Sequence, residues 1–225
     1  MSNELGITIV FLITILLLLI FNEMVYRRFH PVGEVTRKLA HFLATLSTIT
    51  FPFLFDNHWY VFALALIFFI VLFFSRKTPH LKSIHDIKRK SLGSYLLPVA
   101  IYLNFLISYL LDEKFLFILP MLILAICDPV AGILGMNLQT YNHQIRIFKW
   151  KLNKTSTGSI SFFISSFIIS VIALYYYHNM NFDLKTFWLA LLIAAASTMA
   201  EMFSWKGTDN LTIPMVVLLV LGVFL

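Results

Sequence analysis

Long apolar segments separated by short polar breaks make up most of this 225-residue chain. A helix needs about 20 mainly apolar residues to cross a bilayer, and the second and last of these segments are near the lower limit. The eight candidate spans cover residues 5–26, 39–55, 59–75, 95–111, 115–136, 156–177, 186–203 and 211–225. Only 12% of the residues are charged, against about 25% in a soluble domain, which excludes a soluble globule. The sequence predicts an all-α integral membrane protein, a single domain over residues 1–225 with a bundle of about eight transmembrane helices.

Basic residues mark one side of this predicted bundle. Fifteen of the 17 lysines and arginines lie in the first, third, fifth and seventh connections between the spans, and only two lie on the other side. Cytoplasmic loops of membrane proteins carry an excess of Lys and Arg, so both termini are predicted to be outside. The pattern is typical of a multi-pass protein of the cell (inner or plasma) membrane. It also explains the net charge of +6 without a nucleic-acid partner.

One carboxylate stands inside the otherwise apolar fifth span, in the segment LILAICDPVAGILGMN. A charge at the centre of a spanning helix costs about 2.5–3.5 kcal/mol on insertion scales, so Asp128 is a functional candidate. An Asp-Pro pair is typical of a helix start, and we expect the span to be broken or kinked at Asp128-Pro129. Ala131 and Gly135 share a helix face with Asp128. Small residues also favour ordinary helix packing, which is the alternative interpretation of this face.

Three basic segments lie at the predicted cytoplasmic ends of the spans. The first is Arg37-Lys38-x-x-His41, and the second includes Lys90 in the third connection. The third, NKTSTGS, carries Lys154 and Gly158 at the start of the sixth span, and the amino end of a helix is suited to binding phosphate. Taken alone, each segment can equally be a topology anchor or a capped helix start.

The segment AEMFSWKGTDNLTIP brings further acids to the same side. Glu201, Asp209 and Asn210 flank a tight turn at Lys206, and their oxygen atoms are ligands of the kind that Mg²⁺ prefers. The alternative is helix capping by Asp209, with Glu201 paired to Lys206. Carboxylates, cations and a phosphate-suited helix start at one face are the mixture that phosphoryl transfer requires. The sequence therefore predicts a membrane-embedded enzyme that handles a nucleotide and a lipid.

The five segments RKLAH, KRKSLGS, DPVAGILG, KTSTGS and AEMFSWKGTDNLTIP, in this order, resemble the polyprenol, dolichol and phytol kinase family, which includes the CTP-dependent diacylglycerol kinases. The resemblance covers about residues 34–215. It implies a CTP-dependent kinase with Mg²⁺ that phosphorylates a lipid alcohol at the cytoplasmic face. The sequence leaves open which lipid is the acceptor and what the oligomeric state is.

The resemblance also implies roles for individual residues. Asp128, Glu201 and Asp209 are the expected catalytic carboxylates, and Asp128 and Asp209 the expected metal ligands. The residues expected to bind nucleotide or phosphate are Arg37, Lys38, His41, Lys90, Lys154, Gly158, Lys206 and Asn210. Thr157 and Gln139 depart from the family pattern, which often has an acid and a glycine at these positions.

Two other functions remain as alternatives. Phosphatidate cytidylyltransferases share a similar central pattern, but their C-terminal His-Gly-Gly run with paired aspartates is replaced here by DNLTIP. A small transporter would also place an acid such as Asp128 beside a broken helix. However, the polar groups gather at one face, and no matched inverted halves are visible in the sequence.

Overall fold

The computed structural model describes residues 2–31, 33–76, 81–85, 91–137, 143–147 and 150–224. The described chain is mainly helical, with one short antiparallel hairpin. The helices are α1 (Ser2–Phe29), α2 (Gly33–Thr48), α3 (Phe51–Leu54), α4 (His58–Ser75), α5 (Lys82–His85), α6 (Gly93–Leu110), α7 (Phe115–Asn137), α8 (Ser156–Tyr177), α9 (Leu184–Phe203) and α10 (Asp209–Phe224), and the strands are β1 (Gln144–Ile147) and β2 (Trp150–Thr155).

Six helices of the described chain are long and apolar enough to cross a membrane, namely α1, α4 and α6 to α9. These helices confirm the prediction of an all-α membrane protein. The second and eighth predicted spans form α2 and α10, which have 16 residues each. Their length of about 24 Å, at ~1.5 Å per residue, is less than the ~30 Å hydrocarbon core.

Helix α2 differs from the other long helices because the side chains that it buries are polar. They are Thr36, Arg37, Lys38, His41, Thr45 and Thr48. A helix can bury such a stripe only against partners that satisfy it. Helix α2 packs against α1, α5 and α7, and it therefore carries charge into the interior rather than forming a simple apolar span.

Helix α7 lies at the centre of the bundle and packs against α2, α6, α8 and α10. It is continuous through Asp128 and Pro129, so the span is not broken there, and the alternative of a kink stays a prediction. A proline removes one backbone hydrogen bond, and packed neighbours allow a buried helix to continue past it.

Small residues let α7 and α8 approach closely. A Cβ atom added to Gly135 would lie 2.9 Å from Thr155 Oγ1, and one added to Gly158 would lie 3.1 Å from the Ala131 carbonyl oxygen. The first distance is too short for a Cβ atom, and the second is tighter than most real contacts. The small residues of α7 therefore permit the close approach of α8.

The fifth connection contains the hairpin, which the sequence had suggested only as a polar loop. Strands β1 and β2 pair antiparallel, and Thr155 at the end of β2 is the cap residue of α8. The hairpin thus delivers Lys154 to the end of the bundle where α4, α7 and α9 end and α2, α6, α8 and α10 begin. We call this end the site end, and the opposite one the far end.

We expect Gly135→Ala to lower the thermal stability of the protein in detergent. Overpacking of this kind costs typically about 1–3 kcal/mol. Gly222→Ala is the matched control, because nothing lies within 4 Å of a Cβ atom at that helical position. There, alanine should leave the melting temperature unchanged or raise it, since glycine within a helix is less favourable by about 0.5–1 kcal/mol. Equal melting temperatures for the two variants would contradict the close approach of α7 and α8.

Candidate functional site

A buried polar cavity of about 190 Å³ lies at the site end of the bundle. Four elements that are distant in sequence, α2, α7, α9 and α10, meet β2 and α8 around it. Its charged lining residues are Glu34, Lys38, Asp128, Lys154, Glu201 and Asp209. The remaining wall is formed mainly by small residues of α7 and the start of α8, so backbone atoms are accessible from the cavity.

The first ion pair of the polar cavity joins α2 to α7. Lys38 Nζ lies 2.5 Å from Asp128 Oδ2 and also donates to the main-chain oxygen of Asp128 at 3.1 Å. Both side chains are buried. Gly132, one turn beyond Asp128, makes room for the lysine, because a Cβ atom there would lie 2.7 Å from Lys38 Cε.

The second ion pair is a bridge made by Lys154. Its ammonium nitrogen lies 2.8 Å from Glu201 Oε1 and 3.0 Å from Asp209 Oδ2, and so links β2 to both α9 and α10. Ser159 Oγ donates to the other oxygen of Glu201 at 2.9 Å. Burial alone would lower the pKa of Lys154, but the carboxylates of Asp209, Glu201 and Asp128 outweigh it and raise the pKa above its ordinary value. Lys154 is therefore an ammonium ion at neutral pH.

Three further predicted residues line a neighbouring apolar groove rather than the polar cavity. They are Arg37, His41 and Asn210. Arg37 pairs with Glu34 at 2.7 Å, and the side-chain amide of Asn210 donates to the Gly93 carbonyl oxygen at 2.7 Å. His41 Nε2 lies 3.3 Å from the Leu124 carbonyl oxygen and 3.9 Å from Asp128 Oδ2. These residues thus lie at the boundary between the groove and the cavity.

The structure does not bring every predicted residue into the cavity. The Lys206 ammonium lies 3.9 Å from the centre of the exposed Trp205 ring, and Glu201 pairs with Lys154 instead. Lys206 lies in the turn before α10, where its backbone has a positive φ of 52°, and this turn places its side chain outside the cavity. Gly158 does line the cavity, but its N–H donates to Thr155 Oγ1 at 3.3 Å and so is already part of the helix cap. Lys90 and Gln139 lie outside the described residues.

Two residues of the site were missed from the sequence. Glu34 lines the polar cavity, and its spacing of three and four residues from Arg37 and Lys38 is the signal that could have found it. Ser159 binds Glu201, but a serine one turn into an apolar helix carries no distinctive signal.

The donor set fits a magnesium ion that arrives with phosphate ligands. Within the described residues, no group of three or more His, Cys, Asp or Glu side chains is placed to hold a metal. The Asp128, Glu201 and Asp209 carboxylates are each paired with a lysine. Mg²⁺ is commonly bound through one or two carboxylates together with substrate phosphates and water. The cavity lining includes the carboxylates of Asp128, Glu201 and Asp209, which is enough for such a site.

The fold and the cavity together define a polytopic membrane protein with a site of paired lysines and carboxylates at one end of its bundle. Over 184 residues, the chain is 28% identical to a protein named phytol kinase from Synechocystis sp., and the match covers 81% of this chain and 76% of that protein. This similarity supports the resemblance to the polyprenol and phytol kinase family. No protein-family model matches the chain, and no solved structure matches it.

We expect Lys154→Met to lower the melting temperature in detergent strongly. Removing one partner of a buried ion pair costs about 3–5 kcal/mol, because the other charges are left uncompensated. Lys154→Arg should retain most of the stability. Lys185→Met, at an exposed position at the far end, is the control for loss of a lysine charge. Indistinguishable unfolding of the Lys154→Met and Lys185→Met variants would show that the bridge does not stabilise the bundle.

Proposed function

We propose that this protein is a magnesium-dependent kinase that transfers the γ-phosphate of CTP to the hydroxyl group of a lipid alcohol of the polyprenol, phytol or diacylglycerol type. One observation carries the proposal. The buried Lys38 and the partly buried Lys154 pair with three carboxylates in a cavity that adjoins an apolar groove. The similarity to the Synechocystis protein named phytol kinase supports the same class of reaction. The choice of CTP as donor comes from the family resemblance.

Lys38 and Lys154 are the residues that would bind the phosphates. Phosphoryl transfer asks a protein mainly for positioning and for neutralisation of the phosphate oxygens. Both ammonium groups are held by carboxylates on the walls of the polar cavity and need only small movements to exchange a carboxylate oxygen for a phosphate oxygen. Magnesium, when bound, would neutralise further phosphate charge, and Asp128 and Asp209 would hold it.

The acceptor hydroxyl would enter from the groove side of the cavity. Asp209 neighbours the groove residue Asn210, and we assign to Asp209 the acceptance of the hydroxyl proton. Glu201, which Ser159 orients, would hold Lys154 in place. The lipid oxygen forms a bond to the γ-phosphorus while the bond from the γ-phosphorus to the bridging oxygen breaks. The products are the phosphorylated lipid and CDP.

Eight membrane crossings are part of the proposal, with the short helices α2 and α10 completing the count. Both termini would then be outside, and the site end would face the cytoplasm of the cell. The alternation of Lys and Arg between successive connections supports this orientation.

Asp128→Asn and Asp209→Asn should each lower the rate of lipid phosphorylation by about 100-fold or more, the loss expected when a group that stabilises transition-state charge is removed. The assay uses CTP labelled on the γ-phosphate, magnesium, and parallel acceptors: a polyprenol, phytol, diacylglycerol and phosphatidic acid. Removal of magnesium with a chelator should stop the label transfer.

The control for these variants is Asp112→Asn, at the exposed turn between α6 and α7. Asp112 has a positive φ of 52°, which asparagine also tolerates, and we expect full activity. Unchanged activity of both site variants would refute the assigned site. Labelled pyrophosphate released only with phosphatidic acid would identify a cytidylyltransferase instead.

The orientation can be tested with a membrane-impermeant maleimide on intact cells. Cys127, the single native cysteine, is buried, so the background labelling should be low. We expect Asn181→Cys, in the exposed connection between α8 and α9, to be labelled from outside. Trp205→Cys at the site end should be labelled only after the cells are permeabilised. The reverse pattern would place the site end outside.

A further inference from the structure

An apolar groove of about 90 Å³ runs between α1, α2, α4 and α6. Its walls are aliphatic and aromatic along most of their length, with small residues on α2 and α4 that keep it open. Lining residues from the four helices include Leu19, Ala40, Ala44, Ala65, Phe68 and Leu97. The lining is almost purely apolar except at its site end, so the groove is suited to a hydrocarbon.

On two different helices, adjacent residues line the apolar groove and the polar cavity. On α2, Arg37 lines the groove and the next residue, Lys38, lines the cavity. On α10, Asp209 lines the cavity and the next residue, Asn210, lines the groove. A molecule with its tail in the groove would therefore have its polar end beside the ion pairs of the cavity.

The groove is one membrane leaflet deep. From Arg37 to Thr48, its first and last lining residues on α2, the helix rises about 16 Å at ~1.5 Å per residue. This is close to half of the ~30 Å hydrocarbon core of a bilayer. The groove thus has about the length of a single extended chain in one leaflet.

Phe51 closes the groove towards the far end. It lines the groove and is only 2% exposed. Its ring packs edge-on against Phe11 and Phe55, with ring centres 5.0 and 5.2 Å away, and stacks on Phe117 at 6.4 Å. The aromatic cluster closes this end of the groove, because Phe11, Phe55 and Phe117 contact Phe51 on several sides.

Helix α1 covers the groove from the lipid side. Ile15 and Leu19 are its lining residues, whereas much of its remaining surface is exposed. The helix is fixed at both ends, since Glu23 accepts from the Ser83 N–H at 2.9 Å and Glu4 accepts from the Asp56 N–H at 2.7 Å. Between these two contacts, the groove is separated from the bilayer by one helix.

We propose that this groove binds the single hydrocarbon chain of the alcohol acceptor, with the hydroxyl group at Arg37, His41 and Asn210, and that Phe51 limits the length of chain that fits. This inference rests on the kinase function proposed above. A single-chain isoprenoid alcohol of about one leaflet in length fits this groove. Among the acceptors of the proposed reaction, we therefore expect a diacylglycerol, which has two chains, to be used less well.

Ala65→Phe tests the groove by filling it in the middle, and Ala63→Phe is its matched control. Ala63 lies on the same helix but on the opposite face, since two residues correspond to about 200° of helix rotation, and it does not line the groove. With phytol as acceptor, kcat/KM should fall by about tenfold or more for Ala65→Phe, the scale of effect that misfit in an apolar pocket produces. Ala63→Phe should match the wild type.

Acceptors of different chain length distinguish a variant whose groove is filled from one whose structure is generally damaged. With geraniol, whose chain is half as long as that of phytol, Ala65→Phe should recover most of the wild-type kcat/KM. Phe51→Leu should act in the opposite direction and raise the relative activity on chains longer than phytol. An equal loss on phytol and geraniol, or equal rates for the two alanine variants, would overturn the groove assignment.

Photolabelling detects binding in the groove independently of phosphorylation. An alcohol with a diazirine at the end of its tail should label groove residues near Thr48 and Phe51, and an excess of phytol should prevent that labelling. The same result is expected in the Asp128→Asn variant, in which turnover is lost. Displaceable label at these positions supports the groove even if no acceptor is phosphorylated by the wild type. Label confined to lipid-facing positions such as Ile164 and Ile168 overturns it.

Discussion

Two ammonium groups pair with the three carboxylates that α7, α9 and α10 carry into the interior of the bundle. Lys38 holds Asp128, and Lys154 holds both Glu201 and Asp209. A buried charge is tolerated only when it is paired, so these contacts fix how the helices meet at the site end. Gly132 of α7 follows from the same requirement, because it makes room for Lys38.

The charge balance that stabilises the bundle is also what makes the cavity suitable for phosphate. Three carboxylates and two lysines leave one negative charge in excess, and a magnesium ion bound to a nucleotide brings both the cation for the acids and the phosphates for the lysines. In the proposed complex the lysines would exchange carboxylate oxygens for phosphate oxygens, and the metal ion would take the place of a lysine on the carboxylates. In the proposed reaction, the groove beside the cavity would hold a hydrocarbon chain and place its polar end near Arg37, His41 and Asn210.

Much of this arrangement could be predicted from the sequence, because the topology alone decides which segments share one end of the bundle. The alternation of Lys and Arg predicts that Asp128, Glu201 and Asp209 lie on the same side of the bundle. The partner of Glu201 could not be predicted, since it depends on a hairpin with short polar strands that delivers Lys154. The continuous α7 was also missed, because local propensity at Pro129 predicts a break, and only the packing of neighbouring helices overrides it.

The most direct test of the central claim is a structure of the protein determined by electron cryomicroscopy with magnesium and a non-hydrolysable CTP analogue. The account predicts that the phosphates lie in the polar cavity, in contact with the Lys38 and Lys154 ammonium groups, with the metal ion on Asp128 and Asp209. The γ-phosphate should lie on the side of the cavity that adjoins Asn210 and the apolar groove. Phosphates bound elsewhere, with both lysines still on their carboxylates, would contradict the account.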